Sequence, residues 1–322
     1  MRISAERLAI EAEATGFRPE ILEKVIHLLG LLEDFGRHPY LRERLALKGG
    51  TALNLFLFDV PRLSVDADLN YIGAADRETM LQERPQVEDA LQAVCSRRGY
   101  RVRRAPDEHA GGKWHLAYPS SIGMDANLEV DLNYMLRVPL WPPSRADSKQ
   151  VGSYRVRGVQ LIDIHELAAG KLAALFARSS PRDLFDAHRL LTQASLDPRR
   201  LRLAFVVYGA MNRRDWRSIA IEDVDIGPQA LRDQLLPLLR RSELDTIGEP
   251  DKLQRTLVDE TRLRLGALLP FSDGEAEFLD RLLDHGEILP GLITDDGAMA
   301  DRIEQHPMLE WKALNVRQYR SR

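Results

Sequence analysis

Residues 48–69 read Lys48-Gly49-Gly50-Thr51-Ala52-Leu53-Asn54-Leu55-Phe56-Leu57-Phe58-Asp59-Val60-Pro61-Arg62-Leu63-Ser64-Val65-Asp66-Ala67-Asp68-Leu69. A small-residue turn opens an apolar, helix-like run over 52–58, and a polar break at 59–62 follows. Two carboxylates then stand at alternate positions of a strand-like segment. Side chains two apart on a strand share a face, so Asp66 and Asp68 can face one point. Carboxylates that close repel unless a cation lies between them or one stays protonated. A divalent metal with oxygen ligands is the simplest resolution. Glycines at 49 and 50 let the backbone approach a ligand, and amides at a helix start attract phosphate. A phosphate cradle beside metal-holding aspartates is the equipment of phosphoryl or nucleotidyl transfer. Taken singly, a Gly-Gly pair is usually a turn. An Asp-x-Asp pair also occurs on solvated strand edges, in calcium loops and in metal-dependent glycosyltransferases. The joint arrangement is the more specific signal.

Working outward, 322 residues with 44% hydrophobic and 29% charged side chains suit a soluble protein of one large or two moderate domains. The formal net charge of -4 argues against nucleic-acid binding by overall charge, although arginines cluster at 97–104, 199–202 and 213–217. Cys95 is the only cysteine, so no intramolecular disulfide forms, as in a reducing cytoplasm. No apolar run reaches the roughly 18–20 residues of a membrane span. The first residues, Met1 to Arg7, lack a secretory apolar stretch. A cytoplasmic protein with no membrane partner is expected.

Before the central stretch, residues 4–15 and 19–35 read as helices, the second with Pro19 in its first turn and Gly36 and Pro39 at its end. After it, 77–98 reads as a helix. Strands are expected at Tyr100–Ala105, Lys113–Tyr118 and Asn127–Met135. In the last strand Glu129, Asp131 and Asn133 share one face and Leu128, Val130, Leu132 and Tyr134 the other. Paired beside Asp66 and Asp68, it would add a third carboxylate, with Asp131 the first choice and Glu129 the reserve. The same pattern also describes a half-exposed strand with a wet acidic face. Residues 136–150, with three prolines around Trp141, read as a loop, linker or lid, and Tyr154–Leu161 as a strand.

Asp163-Ile164-His165-Glu166 has the form of a capping box that would open a helix to Ala177. Lys171 shares a face of it with Leu167, Ala174 and Arg178. Ser180-Pro181-Arg182-Asp183 then starts a second helix, with Ser180 as N-cap and Asp183 as a capping carboxylate. Asp186 is left to orient Lys171, accept a proton from an attacking hydroxyl, or pair with Arg182 or Arg189. Lysine and arginine here can neutralise and grip a triphosphate; a solvated helix face is the plainer account. From about 195 onward the chain reads as helices at Leu201–Met211, Pro228–Arg241, Asp251–Leu269 and Asp273–Asp284. Arg213-Arg214-Asp215-Trp216-Arg217 mixes bases with an aromatic, as RNA contacts do, but fits a solvated turn with one anchoring Trp better. The basic tail, Trp311 to Arg322, shows no clear partner.

Gly49-Gly50-Thr51, Arg62-x-Ser64-x-Asp66-x-Asp68, the acidic strand at 128–134, and Lys171 with Arg178 and Arg182-Asp183-x-x-Asp186 together resemble the nucleotidyltransferase signature of the AbiEii/AbiGii toxin family, which includes the MenT toxins. The resemblance spans about residues 45–195. It implies an α+β, DNA-polymerase-β-like nucleotidyltransferase core, a short mixed sheet with flanking helices, followed by a mostly helical C-terminal region. The expected division is a core at 1–160 and a helical region at 161–322. The implied activity is transfer of a nucleoside monophosphate from an NTP to an acceptor, most readily the 3′ end of tRNA, which blocks translation. Asp66, Asp68 and Asp131 are the implied ligands of Mg²⁺ or Mn²⁺, and together with Lys171 and Asp186 the catalytic residues. Lys48, Gly49, Gly50, Thr51, Ser64, Arg178 and Arg182 are the implied nucleotide-binding residues. A cognate antitoxin, of the AbiEi-like winged-helix kind in many relatives, is the implied partner. One departure from the family pattern is Asp131-Leu132-Asn133 where Glu-Ile-Asn is frequent. The alternatives are a metal-dependent glycosyltransferase, a non-catalytic nucleotide- or partner-binding module, and the same chemistry aimed at a protein or an antibiotic.

Overall fold

The computed structural model describes residues 3–104, 110–123, 125–247 and 249–320. By its contacts the chain forms two units. One holds residues 1–137, 143–162 and 236–247, and the other 138–142, 163–235 and 248–322. The exchange of 138–142 and 236–247 is a tertiary feature that no local pattern announces.

The first unit opens with helices α1 (Ala5–Thr15) and α2 (Pro19–Arg37). Ser4 caps α1 by accepting from the Arg7 amide, and Gly16 closes it at φ 73. Gly36 lies inside α2, which ends at Arg37 before Pro39. Strand β1 (Leu45–Lys48) follows, leading into the one-turn helix α3 (Gly49–Ala52), which runs on as a π-turn over Leu53–Leu57. Next come β2 (Asp66–Tyr71), α4 (Arg77–Arg97), β3 (Arg101–Arg104), β4 (Gly111–Pro119), β5 (Asp125–Asn133), β6 (Ser144–Ala146) and β7 (Val159–Leu161). Ala105, the expected end of the first of three strands, lies outside the described residues. β1 was not foreseen: four residues are too few for alternation to register. The 136–150 loop contains β6, and the strand expected from Tyr154 starts only at Val159, because Val151 and Tyr154 close a tight turn on each other.

Among the described residues the strands form one sheet in the order β3-β4-β5-β2-β1-β7-β6. β2 pairs antiparallel with β1 and parallel with β5; β4 pairs antiparallel with β5 and with β3. One sheet face is apolar. Ala67 and Leu69, Leu128, Val130 and Leu132, and Trp114, Leu116 and Tyr118 are all buried. Helix α2 packs on that face, its His27 ring stacked on Tyr118 at 4.0 Å, and α4 anchors there through Glu83, which accepts from the Tyr71 hydroxyl at 2.6 Å. Burying a leucine contributes about 1.5–3 kcal/mol, and α2 alone buries Leu22, Leu28, Leu29, Leu31 and Leu32. That driving force fixes the strand register, since a one-residue slip would turn every acid inward.

The second unit holds α5 (Ile164–Arg178), α6 (Pro181–Gln193), α7 (Pro198–Ala210) and α8 (Pro228–Gln234). The next helix, α9 (Arg241–Ile247), belongs to the first unit; the second resumes with α10 (Pro250–Leu265), α11 (Asp273–Asp280), α12 (Gly297–Glu304) and α13 (Pro307–Arg320). Pro237 interrupts the helix expected over 228–241 with a short 3₁₀ turn at Leu236–Leu238. The tail forms α13, and residues 321–322 lie outside the described residues. No helix among the described residues is long and apolar enough to cross a membrane.

Candidate active site

The solvent-side face of the sheet carries the acids. Asp66 and Asp68 alternate with the buried Ala67 and Leu69, so both stand on the face opposite the helices. Parallel pairing sets Asp68 directly beside Asp131, and Asp66 beside Glu129. Antiparallel pairing extends the first row at both ends: Lys48 of β1 opposes Asp68, and Lys113 of β4 opposes Asp131. The order across four strands is therefore lysine, aspartate, aspartate, lysine.

The turn after Lys48 is tied to this row. Gly49 has φ 72, a left-handed conformation that glycine alone adopts at no cost, and a Cβ there would run into the Asp68 carboxylate. The carboxylate thus lies against bare backbone at the start of α3. Thr51 is fully buried and its hydroxyl donates to the Asp66 carbonyl at 2.5 Å, while Asn54 Nδ2 donates to the Gly50 carbonyl at 2.9 Å. Thr51 therefore clamps the helix start to β2, and its hydroxyl is committed to that bond. Ser64 is half-buried in the extended run that leads to Asp66.

The acids differ in their electrostatics. Burial raises the Asp131 carboxyl above its ordinary range; Lys48 opposes the shift, Asp68 adds to it, and Lys113 opposes it. Glu129 is held below its range, first by the hydrogen bond from Lys113 Nζ at 2.7 Å, and His115 Nδ1 lies 3.4 Å from its other oxygen. Asp131, adjacent to Asp68, is the acid that gains from a cation; Glu129, the reserve choice, already has one. Asn133 is occupied in accepting from the Met135 and Leu136 amides, which ends β5.

In the second unit, Lys171 is nearly buried on α5 and donates to Asp183 at 2.8 Å, with Asp186 3.0 Å away. Arg178 grips the other Asp183 oxygen at 2.6 Å. Asp183 is therefore the hub of an ion cluster rather than a helix cap. Burial works against its charge, yet Lys171 and Arg178 hold its carboxyl below the ordinary range. Asp186 is fully buried, which suits orienting Lys171 rather than meeting a substrate hydroxyl. Arg182 is exposed. Spacing had placed Asp183 at a helix start; only the fold shows both cations converging on it.

The capping box expected at Asp163–Glu166 does not form. Asp163 accepts from the His165 amide as expected, but Glu166 is buried and accepts instead from the amides of Leu140 (2.9 Å) and Trp141 (3.3 Å) and from the Tyr208 hydroxyl (3.2 Å). Burial pushes its carboxyl up to about 7. Trp216 is fully buried against Phe205 and Phe176, so it offers no stacking platform. Its neighbour Arg217 is taken up by Asp215, Asp280 and Asp284, and Arg214 by Asp223. The 213–217 stretch is the anchored turn.

These features meet a match at the level of sequence families. The model of the nucleotidyl transferase AbiEii toxin of type IV toxin–antitoxin systems matches residues 31–262. The chain belongs to the AbiEii family. It is thus a nucleotidyltransferase toxin by family, which brings with it an NTP substrate and an antitoxin. Among solved structures it is similar to MenT4, a nucleotidyltransferase toxin from Mycobacterium tuberculosis H37Rv, at 17% identity and a TM-score of 0.60, over 96% of this chain and 99% of that one. That likeness establishes the shared α+β fold. No curated protein matches the sequence.

The carboxylate row suits the divalent metal of such enzymes. Among the described residues no group of three His, Cys, Asp or Glu side chains is gathered as a cage. Magnesium characteristically takes one or two carboxylates and completes its octahedron with waters and substrate phosphate oxygens. Asp68 and Asp131 stand side by side, with the Asp131 charge destabilised by burial and by its neighbour, a donor set that fits such an ion.

Proposed function

We propose that this AbiEii-family chain transfers a nucleoside monophosphate from an NTP to the 3′ end of tRNA, with pyrophosphate leaving, and thereby blocks translation. The observation that carries the site is the register of Asp68 against Asp131, with the Asp68 carboxylate lying over Gly49. Acids and phosphate-binding amides are brought to one place by backbone pairing rather than by flexible side chains. In this reading the amides of Gly49, Gly50 and Thr51 receive the triphosphate, and Lys48 offsets its charge. Asp68 and Asp131 would hold Mg²⁺ or Mn²⁺, with Asp66 two places along β2 on the same face; the ion, when bound, neutralises phosphate charge and lowers the pKa of an attacking hydroxyl. Ser64 steadies the approach to Asp66. By the motif they share with the family, Lys171, with Arg178 and Arg182, is assigned to the leaving pyrophosphate, and Asp186 to holding the Lys171 side chain in place. An AbiEi-like antitoxin is the partner in this reading.

Radiolabelled NTPs, each incubated with total RNA, test the reaction. Label is expected on tRNA, and Asp66→Ala should lower incorporation at least about a hundredfold, as loss of a charge-stabilising group does, with the melting temperature unchanged. RNA still labelled by Asp66→Ala would refute the assignment.

A further inference from the structure

Across the sheet the strands run outward from the glycine turn. The turn ends β1, Asp66 and Asp68 lie on β2, and Asp131 on β5. The next two strands present bases on the same face. Lys113 and His115 oppose Asp131 and Glu129, and Arg101 on β3 opposes Ala117, two places along β4 from His115. Asp125, at the start of β5, pairs with both Arg101 and Arg103. The bases are accessible: the side chains of Arg101, Arg103 and Lys113 are 65%, 55% and 53% exposed. Three permanent cations share two carboxylates, Asp125 and Glu129, and His115 adds further donor capacity. This edge therefore has positive charge to spare beside a row that is acidic.

Chemistry gives the layout a direction. In-line displacement at phosphorus sets the attacking oxygen opposite the leaving group. With the triphosphate on the β1–β2 turn, the attacking group approaches from the β5–β4 side. One strand beyond Asp131, about 4.8 Å further, stands Lys113, with the β3 arginines outside it. A polyanionic acceptor would meet its counter-charges there. We infer that Lys113, Arg101 and Arg103 form an acceptor-side track that binds the phosphate backbone of a single-stranded RNA end and leads its terminal hydroxyl to the Asp68–Asp131 pair. The inference rests on the nucleotidyl-transfer reading for its direction. The ion pair from Glu129 holds Lys113 extended on the face, so Glu129 is a positioning residue and not a metal ligand.

A charged edge strand also discourages sheet-to-sheet association. That simpler role predicts aggregation on neutralisation, with no change in RNA affinity. The test is equilibrium binding of a fluorescent single-stranded oligoribonucleotide to the full chain, without NTP or metal, across a salt series. It compares the wild type with Lys113→Ala, Lys113→Arg and Arg101→Ala/Arg103→Ala. Each lost phosphate contact should reduce the slope of log K against log salt by about 0.7 and weaken binding roughly three- to tenfold. Lys113→Arg should restore binding. NTP affinity should move less than about twofold, since the track lies across the acids from the turn. Unchanged RNA affinity and slope in the neutralised variants would overturn the track, as would a wild type that binds no RNA or labels only protein. The two readings separate cleanly. RNA bound with the stated salt response but never labelled ends the transfer reading and leaves the track; RNA labelled with an unmoved KM in the neutralised variants ends the track alone.

Discussion

On the sheet, Asp68 and Asp131 stand abreast between lysines one strand away, and burial keeps the Asp131 carboxyl above its usual range. Among the helices, Asp183 receives Lys171 at 2.8 Å and Arg178 at 2.6 Å, and they hold its carboxyl below its usual range despite deeper burial. One acidic group is left under-neutralised by its own chain, and the other is fully matched. The first invites a cation from outside. The second is an internal structure whose charges support one another, so its members serve stability.

The contrast predicts different responses to substitution. The largest effect belongs to the matched cluster. Lys171→Ala leaves two buried carboxylates without their shared cation and should cost about 3–5 kcal/mol of stability, read by denaturant unfolding. Lys171→Met with Asp183→Asn and Asp186→Asn should recover much of that loss but no activity. If Lys171→Ala melts like the wild type, the cluster is not the settled network described.

Gly49→Ala comes next. It places a Cβ against the Asp68 carboxylate at a φ of 72, so transfer should fall by about tenfold or more, with a stability cost near 1–2 kcal/mol. Gly36→Ala is the control: nothing lies within 4 Å of its Cβ inside α2, and a gain of about 0.5–1 kcal/mol is expected. Equal behaviour of the two variants would break the link between the turn and the acids.

Asp131→Asn should act oppositely on stability and function. A carboxyl with a raised folded pKa weakens the fold once ionised, so the neutral amide should raise the melting temperature at neutral pH while activity falls. Added Mg²⁺ should stabilise the wild type more than the variant. A fall in melting temperature without metal would show that the row is not under-neutralised.

The smallest effect is a slope. Glu166 is shifted from 4.5 to about 7 by burial. Between those values the folded chain holds a proton that the unfolded chain releases, so this group makes stability decline as pH rises through that window. Glu166→Gln keeps an acceptor for one of the Leu140 and Trp141 amides and should flatten this part of the profile in melts taken across the range. An unchanged slope would assign the pH dependence elsewhere.

Much of the first unit was legible because its code is local. Alternation over 128–134 gave both faces of β5, and Pro19 marked the start of the second helix. Less legible were short elements such as β1 and β6, where three or four residues carry no period. Glu166 illustrates the other failure. Its spacing from Asp163 satisfies a capping box, yet a buried carboxylate with three distant donors outweighs a single exposed cap.

The chain's order alone determined that glycines precede two acids of equal facing, that a third acid alternates on a later strand, and that a lysine and aspartates follow at helical spacing. Those are periodicities of a few residues, set by backbone geometry. Tertiary structure alone decided that Asp131 rather than Glu129 stands beside Asp68, that Lys113 claims Glu129, and that Asp183 gathers Lys171 and Arg178. Strand register and helix packing are settled by how distant apolar faces bury one another, and no local run of residues contains that information.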